Sequence, residues 1–293
     1  MTDIRETSVT APDGRALRMI ETGDPDGYPV LWQHGTPSSS LLYEPWIASA
    51  TSHGARLIAY DRPGYGGSTP HPDRTIADAA ADAAAIARAR DIERMATMGL
   101  SGGGPHVLAC AALLPDLITA ASCIAGVGPP DADGLDLTAG MGTSNVAEFA
   151  AARDGREKLE PMLEEFAASM LAGVEDDENL DTILSEADRA ALTPQFKEWL
   201  EGSSREGLRP GLEGWIEDDI AFVTPWGFDL HEIEVPVQVW QGEQDLMVPF
   251  AHGQWLAENI LGVDARLSPD EGHLTIPTQR FDEILKWLLA TSR

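Results

Sequence analysis

Along the chain, short apolar runs that end in glycine-rich turns alternate with longer segments of helical composition. After a polar start, Ala16 to Thr22 alternates weakly and breaks at Gly23-Asp24-Pro25-Asp26-Gly27, a dense cluster of turn residues. Pro29-Val-Leu-Trp-Gln33 is a short apolar run that stops at His34-Gly35-Thr36-Pro37, the pattern of a buried strand running into a glycine loop. Arg56-Leu-Ile-Ala-Tyr-Asp61 repeats that pattern and enters Arg62-Pro-Gly-Tyr-Gly-Gly-Ser68. The period then changes. Ile76 to Arg90 is alanine-rich, with charges at Asp78, Asp82, Arg88 and Arg90, and predicts a helix of about four turns. Met95 to Leu100 predicts the next strand, Pro105 to Leu114 the next helix, stopped by Pro115, and Ile118 to Val127 a further strand ending at Gly128-Pro129-Pro130.

From Asp131 to Asp229 the alternation stops. That stretch carries helical segments such as Val146 to Met170 and Gln195 to Leu200, an acidic run Glu175-Asp-Asp-Glu178, and no convincing strand. The pattern returns at Val235-Pro-Val-Gln-Val-Trp240. A helix Phe250 to Ile260, a strand near Ala265 to Leu267 and a closing helix Thr278 to Ala290 follow. Apolar strands alternating with helices predict an α/β fold, a mostly parallel sheet covered by helices on both faces. The simplest organisation is one core made of residues 1–130 and 230–293, with residues 131–229 as a helical insertion. In such sheets function is expected at the carboxyl ends of the strands.

Gly99-Leu100-Ser101-Gly102-Gly103 fits G-x-S-x-G at a predicted strand-to-helix junction. A serine on so sharp a turn projects its hydroxyl above the sheet, and N–H groups at the helix start face a developing oxyanion. Read alone, the motif is equally an ordinary glycine-rich turn. A serine hydroxyl needs a base to take its proton, and the base needs a carboxylate to orient it. His273 follows the last predicted strand, and Asp245 follows the strand Val237 to Trp240 in Gln241-Gly-Glu-Gln-Asp245. Ser101, Asp245, His273 is the chain order expected of this arrangement.

The other histidines fit less well. His106 lies inside the helix after Ser101 and reads as a packing residue, His71 and His231 lie in polar loops, and His53 and His252 fall on helix surfaces. Asp131, Asp133 and Glu243 remain rival acids for orienting the base, while Asp61 reads as part of a structural turn.

Together these pieces resemble the α/β-hydrolase fold family over essentially the whole chain. The likeness is carried by His34-Gly-Thr-Pro37, Asp61 to Ser68, the Gly99 to Gly103 elbow, Gly242-Glu-Gln-Asp245 with Val248-Pro249, and Gly272-His273. The resemblance implies that the N–H groups of Thr36 and Gly102 form the oxyanion hole and that His34 shapes the loop. It also implies that residues 131–229 are a lid inserted between the sixth and seventh core strands. Epoxide hydrolases and haloalkane dehalogenases of that family use an aspartate nucleophile, so Ser101 points to acyl chemistry instead. No metal or organic cofactor is required.

The expected activity is hydrolysis of a small or medium uncharged carboxylic ester through an acyl-enzyme. The alternatives are an aminopeptidase similar to proline iminopeptidases and a non-catalytic ligand-binding homologue. Those peptidases resemble His-Gly-Gly-Pro-Gly at the oxyanion loop, where this chain has His34-Gly-Thr-Pro-Ser38. Trp199, Trp215, Phe222, Trp226 and Phe228 are candidate walls of a substrate pocket, with packing inside the lid as their other role.

Charge narrows the partners. The chain holds 20 Lys plus Arg against 48 Asp plus Glu, a net charge of −28, and has no Lys/Arg-rich run. Nucleic acid and anionic membrane surfaces are therefore poor partners, and a small-molecule substrate is expected. Residues 131–229 contain 24 of the acids but only 7 of the bases, which reads mainly as a solvated helix surface that would disfavour anionic substrates. The two cysteines, Cys110 and Cys123, are too few for a disulfide framework and have no metal-ligand spacing. Met1 to Glu6 has neither the basic start nor the apolar stretch of a signal peptide, and no run reaches the roughly 20 apolar residues of a membrane span. A cytoplasmic location is expected.

Overall fold

The computed structural model of the protein describes residues 4–172 and 182–292. Eight strands make one sheet: β1 Arg5–Thr10, β2 Ala16–Gly23, β3 Tyr28–Gln33, β4 Ala55–Tyr60, β5 Met95–Leu100, β6 Ile118–Ile124, β7 Val237–Gly242 and β8 Asp264–Ser268. Their spatial order is β1-β2-β4-β3-β5-β6-β7-β8. The first two pairings, β1 with β2 and β2 with β4, are antiparallel, and the rest of the sheet is parallel.

Both faces of the sheet are buried, which is why its central strands read as continuous apolar runs. Alternate side chains divide between two cores, as the period of two requires. Leu31, Ile58, Tyr60 and Val239 join one cluster with Ile86 of α2 (Asp78–Ala89), Val107 and Leu108 of α3 (Gly103–Leu113). Val30, Trp32, Leu57, Ala59 and Trp240 join the other, beneath Trp46 of α1 (Glu44–His53). The strand β1 had no signal in the sequence because it is an edge strand with only Val9 buried.

Between β6 and β7 the chain forms α4 Thr143–Asp154, α5 Arg156–Ala172, α6 Glu186–Ala191, α7 Pro194–Gly207 and α8 Glu213–Val223, with no strand among the described residues of that stretch. The helix expected over Val146 to Met170 is two helices, parted at Gly155, whose φ of 99° no ordinary side chain adopts readily. The acidic run Glu175 to Glu178 lies outside the described residues. After β7 come α9 Phe250–Asn259, α10 Thr275–Gln279 and α11 Phe281–Thr291, so the expected closing helix is likewise two pieces, joined at Arg280.

His252 corrects one expectation. It lies on α9, as read, but it is fully buried instead of facing solvent. Its Nδ1 accepts the Gly128 N–H at 2.9 Å, and its Nε2 donates to the Leu137 carbonyl at 3.1 Å. Burial pushes its pKa down to about 4, so it is a neutral strut between α9 and the loop after β6. Cys110 and Cys123 are buried free thiols, pushed up to about 12 by burial. Among the described residues no helix is long and apolar enough to cross a membrane.

Candidate active site

Ser101 stands between β5 and α3 with φ +55°, a left-handed conformation that costs a residue with a Cβ on the order of 1–2 kcal/mol. The turn is held by its neighbours: the Ser101 N–H donates to the Ile124 carbonyl of β6 at 2.8 Å, and the Gly104 N–H donates to the Ser101 carbonyl at 2.8 Å. Glycine at position 99 follows from packing, since a Cβ there would meet the Gln33 Cβ at 2.7 Å. The motif of the sequence is thus an elbow pressed against β3.

His273 and Asp245 come from the loops after β8 and β7. His273 Nδ1 donates to Asp245 Oδ2 at 2.8 Å, and both residues are about 3% exposed. The carboxylate is itself pinned. Its Oδ1 accepts the backbone N–H groups of Met247 and Val248 at 2.9 and 2.8 Å, and its Oδ2 also accepts the Gln241 side-chain amide at 2.9 Å. Burial would lower the pKa of His273, but the Asp245 carboxylate, through charge and hydrogen bond, outweighs it, and the imidazole is held above its ordinary 6.5. Asp188 of α6 adds to the same effect. The rival acids Asp131, Asp133 and Glu243 are exposed in their loops, and it is Asp245 that meets the histidine.

Thr36 and Gly102 touch. A Cβ on Gly102 would lie 2.9 Å from the Thr36 Cβ and 2.8 Å from the Phe222 ring. Gly102 precedes the first turn of α3, so its N–H is among those a helix leaves without an internal partner. His34 has both ring nitrogens engaged: Nδ1 donates to the Gly35 carbonyl at 2.7 Å and Nε2 accepts the Arg62 N–H at 3.0 Å. His106 Nδ1 donates to the Gly102 carbonyl at 2.7 Å, and burial pushes that imidazole down to about 3. Both rings therefore brace the turn as neutral groups. His53 pairs with Asp282 and His231 with Asp229 at the surface, away from this cluster. Asp61 is structural, accepting the Ser40 and Gly67 N–H groups and an Arg18 ion pair.

Ser101, His273, Thr36 and Gly102 line one cavity of about 1220 Å³. Trp199, Trp215 and Phe222, from the helices between β6 and β7, line it too. Trp226 and Phe228 do not. They stack on each other 5.8 Å apart and pack against the core beside α2 and α3, because the chain has already left α8 and turned back toward the sheet. Among the described residues no group of three or more His, Cys, Asp or Glu could hold a metal ion. A hydroxyl on a tight turn and an imidazole held by a carboxylate, lining one cavity, are groups that can carry out acyl transfer.

Several polar residues around the site have no counterpart in the motifs. Asp218 of α8 is wholly buried, and its carboxylate accepts from Thr36 Oγ1 at 2.7 Å, Tyr65 Oη at 2.9 Å, Arg62 at 2.6 Å and Arg74 at 2.5 Å. Burial alone would raise its pKa, and the two guanidiniums hold it well below the usual carboxylate range. Asp188 accepts the Leu274 N–H at 2.6 Å and so ties α6 to the His273 loop. The signal for Asp218 was present as Glu217-Asp218-Asp219 inside the otherwise apolar Trp215 to Phe222. Three successive acids on a mostly apolar helix cannot all face water if its apolar side chains are to be buried, and these three are 4%, 0% and 5% exposed.

The comparisons with known proteins agree with this architecture. A family model described as alpha/beta hydrolase fold matches residues 28–278. A non-heme chloroperoxidase from Streptomyces lividans is 29% identical over 269 residues, covering 90% of this chain and 91% of the relative. A bifunctional esterase/perhydrolase from Acinetobacter calcoaceticus is 27% identical, covering 97% of this chain and 99% of the relative. Among solved structures, an esterase from Thermogutta terrifontis superposes with a TM-score of 0.72 at 21% identity, covering 99% of this chain and all of that one. The chain therefore belongs to the α/β-hydrolase fold family.

Proposed function

We propose that this hydrolase-fold protein is a carboxylic ester hydrolase with Ser101 as nucleophile. The observation that carries the reading is the 2.8 Å bond from His273 to a carboxylate saturated with donors, beside a serine held at positive φ in the same cavity. In this mechanism Ser101 Oγ attacks the ester carbonyl carbon and its proton passes to His273 Nε2. The Thr36 and Gly102 N–H groups take the charge of the tetrahedral oxyanion, and Asp245 stabilises the imidazolium. One such donor contributes about a hundredfold or more in rate. The alcohol leaves with the proton from His273, water attacks the acyl-enzyme as the same nitrogen takes its proton, and the acid is released as His273 returns that proton to Ser101 Oγ.

Residues 131–229 act in this reading as a lid over a core of 1–130 and 230–293. The cavity walls drawn from both parts support that role. Hydrolysis of p-nitrophenyl acetate and butyrate, reduced by about four orders of magnitude or more in Ser101→Ala, is the expected result. Turnover of proline p-nitroanilide without ester turnover would replace the esterase by the aminopeptidase, and ligand binding with neither activity would replace it by the non-catalytic homologue. The name of the Acinetobacter relative supports a second activity at the same site: hydrogen peroxide replacing water as acyl acceptor would release a peracid. Peracetic acid formed from p-nitrophenyl acetate and peroxide, and lost in Ser101→Ala, is its test.

A further inference from the structure

The helix α8 meets the two positions expected to hold the oxyanion from behind the cavity wall. Asp218 and Phe222 lie four residues apart on it, and so on one face. The Phe222 ring closes over Gly102, where a Cβ would meet it at 2.8 Å. Asp218 is wholly buried and is not among the residues lining the cavity. It touches Thr36 instead, whose hydroxyl donates to Asp218 Oδ2 at 2.7 Å. The same hydroxyl accepts from Arg62 Nη2 at 2.9 Å, and that nitrogen also donates to Asp218 Oδ2 at 2.6 Å and to the Gly35 carbonyl at 3.0 Å. Arg62 Nη1 donates in turn to the His34 carbonyl.

With its proton given to Asp218 and a lone pair taken by Arg62, the Thr36 hydroxyl has one orientation, and the side chain that carries it is held with it. Arg62 and Arg74 already supply the counter-charge that the buried carboxylate needs. The bond to Thr36 therefore adds position and not neutrality. Gly102 is braced from the same side: His106 Nδ1 donates to its carbonyl at 2.7 Å, and His106 Nε2 lies 3.7 Å from Asp218 Oδ1. Thr36 follows β3 and Gly102 follows β5, so no local rule sets the distance between them. A preorganised donor stabilises an oxyanion only from its proper place, and a displacement of about 1 Å can cost about a hundredfold in rate.

We propose that Asp218 is a positioning residue for the oxyanion hole, holding the Thr36 side chain, and with it the Thr36 N–H, in place beside Gly102. This role rests on the esterase reading above. It makes α8 a working part of the catalytic apparatus as well as a wall of the cavity, and it acts through Thr36 without Asp218 meeting the substrate.

Two matched variants test it. Thr36→Val and Tyr65→Phe each delete one hydroxyl donor to Asp218 Oδ2, but only the first does so at the oxyanion loop. Phenylalanine keeps the ring that packs edge-on against His34, 5.0 Å between centroids. With melting temperatures recorded for every variant, Thr36→Val should lower kcat for p-nitrophenyl butyrate about tenfold or more and leave KM within about threefold, since the oxyanion forms only after the ester is bound. Tyr65→Phe should hold kcat within about twofold, whatever it costs in stability. Thr36→Ser, which keeps the hydroxyl, should regain most of the lost kcat. A kcat preserved in Thr36→Val, an equal loss in Tyr65→Phe, or no regain in Thr36→Ser would overturn the proposal. In folded Asp218→Asn, kcat should already be lowered, and adding Thr36→Val should cost less than about a further twofold, because both changes break one link. Losses that multiply would take the role from Asp218. The comparison of Thr36→Val with Tyr65→Phe decides the matter even where Asp218→Asn is too unstable to assay. Absence of ester turnover in the unaltered protein, or turnover that survives Ser101→Ala, would sink the esterase reading and the proposal with it, whereas the outcomes above sink the proposal alone.

Discussion

The sheet and the helices between β6 and β7 contribute to the candidate site in different ways. From the sheet come Ser101, Asp245 and His273, each on a loop at the carboxyl end of a strand and each within a short glycine-containing motif. From the helices come Glu148, Asp188, Asp218 and Asp219, each an acid in a segment with no motif. Yet the helical acids are tied to the sheet half of the site. Asp218 bonds the Thr36 hydroxyl, and Asp188 bonds the backbone beside His273. The sheet positions the atoms proposed to react, and the helices charge and brace their surroundings.

The sharpest division would come from Asp245→Asn. Loss of the carboxylate that fixes the His273 tautomer should lower kcat by about 10⁴ while leaving the melting temperature nearly unchanged, read by ester turnover beside a thermal melt. Retention of most of the activity would move the orienting role to another acid and blur the comparison.

Asp218→Asn should lower stability as well. It leaves the buried Arg62 and Arg74 without their counter-charge, and removing one partner of such a cluster costs about 3–5 kcal/mol. Denaturant unfolding should show that loss. A variant as stable as the parent would mean that the hub does not join the two halves.

A smaller effect distinguishes Asp188. His273 must be neutral to accept the serine proton, so kcat/KM should rise with pH through an imidazole pKa held above 6.5. Asp188→Asn should move that limb toward lower pH by less than about one unit, a shift absent if α6 acts only as a prop. The sign for stability is the reverse of that for activity. The imidazolium stabilises the folded state below pH 6.5, and this contribution is lost as pH rises through the raised value.

The smallest change is expected for Asp219→Asn. Its carboxyl is raised well above the ordinary 3.8, so its ionisation opposes folding at high pH and stops doing so once both states are protonated. The variant should melt a few degrees higher at pH 8 and no higher below pH 3.8. A lower melting temperature at pH 8 would show that the acid has a structural partner.

Legibility followed the same division. The glycine motifs were readable because a sharp turn at a strand end restricts both backbone and neighbours, as Gly99 does against Gln33. His252 was misread because its helix has polar and apolar residues mixed on each face, and only the approach of the loop after β6 buries it. The acids of residues 131–229 read as a solvated face. For Glu217 and Asp218 that was wrong, since Arg156, Arg62 and Arg74 reach them from other parts of the chain, and Asp219 is buried beside them. Trp215 and Trp226 are only eleven positions apart, and which of them would meet the cavity depended on where α8 ended.

By itself the sequence determined the alternation of strand and helix, hence the family of fold, and the motif positions at strand ends. Those follow from local rules, namely the period of apolar side chains and the steric demands of turns. Only the tertiary structure decided which carboxylate meets His273, which aromatic rings wall the cavity, and which acids are buried. Those outcomes depend on contacts between segments up to about 180 residues apart, such as Thr36 with Asp218, where nothing local records the partner.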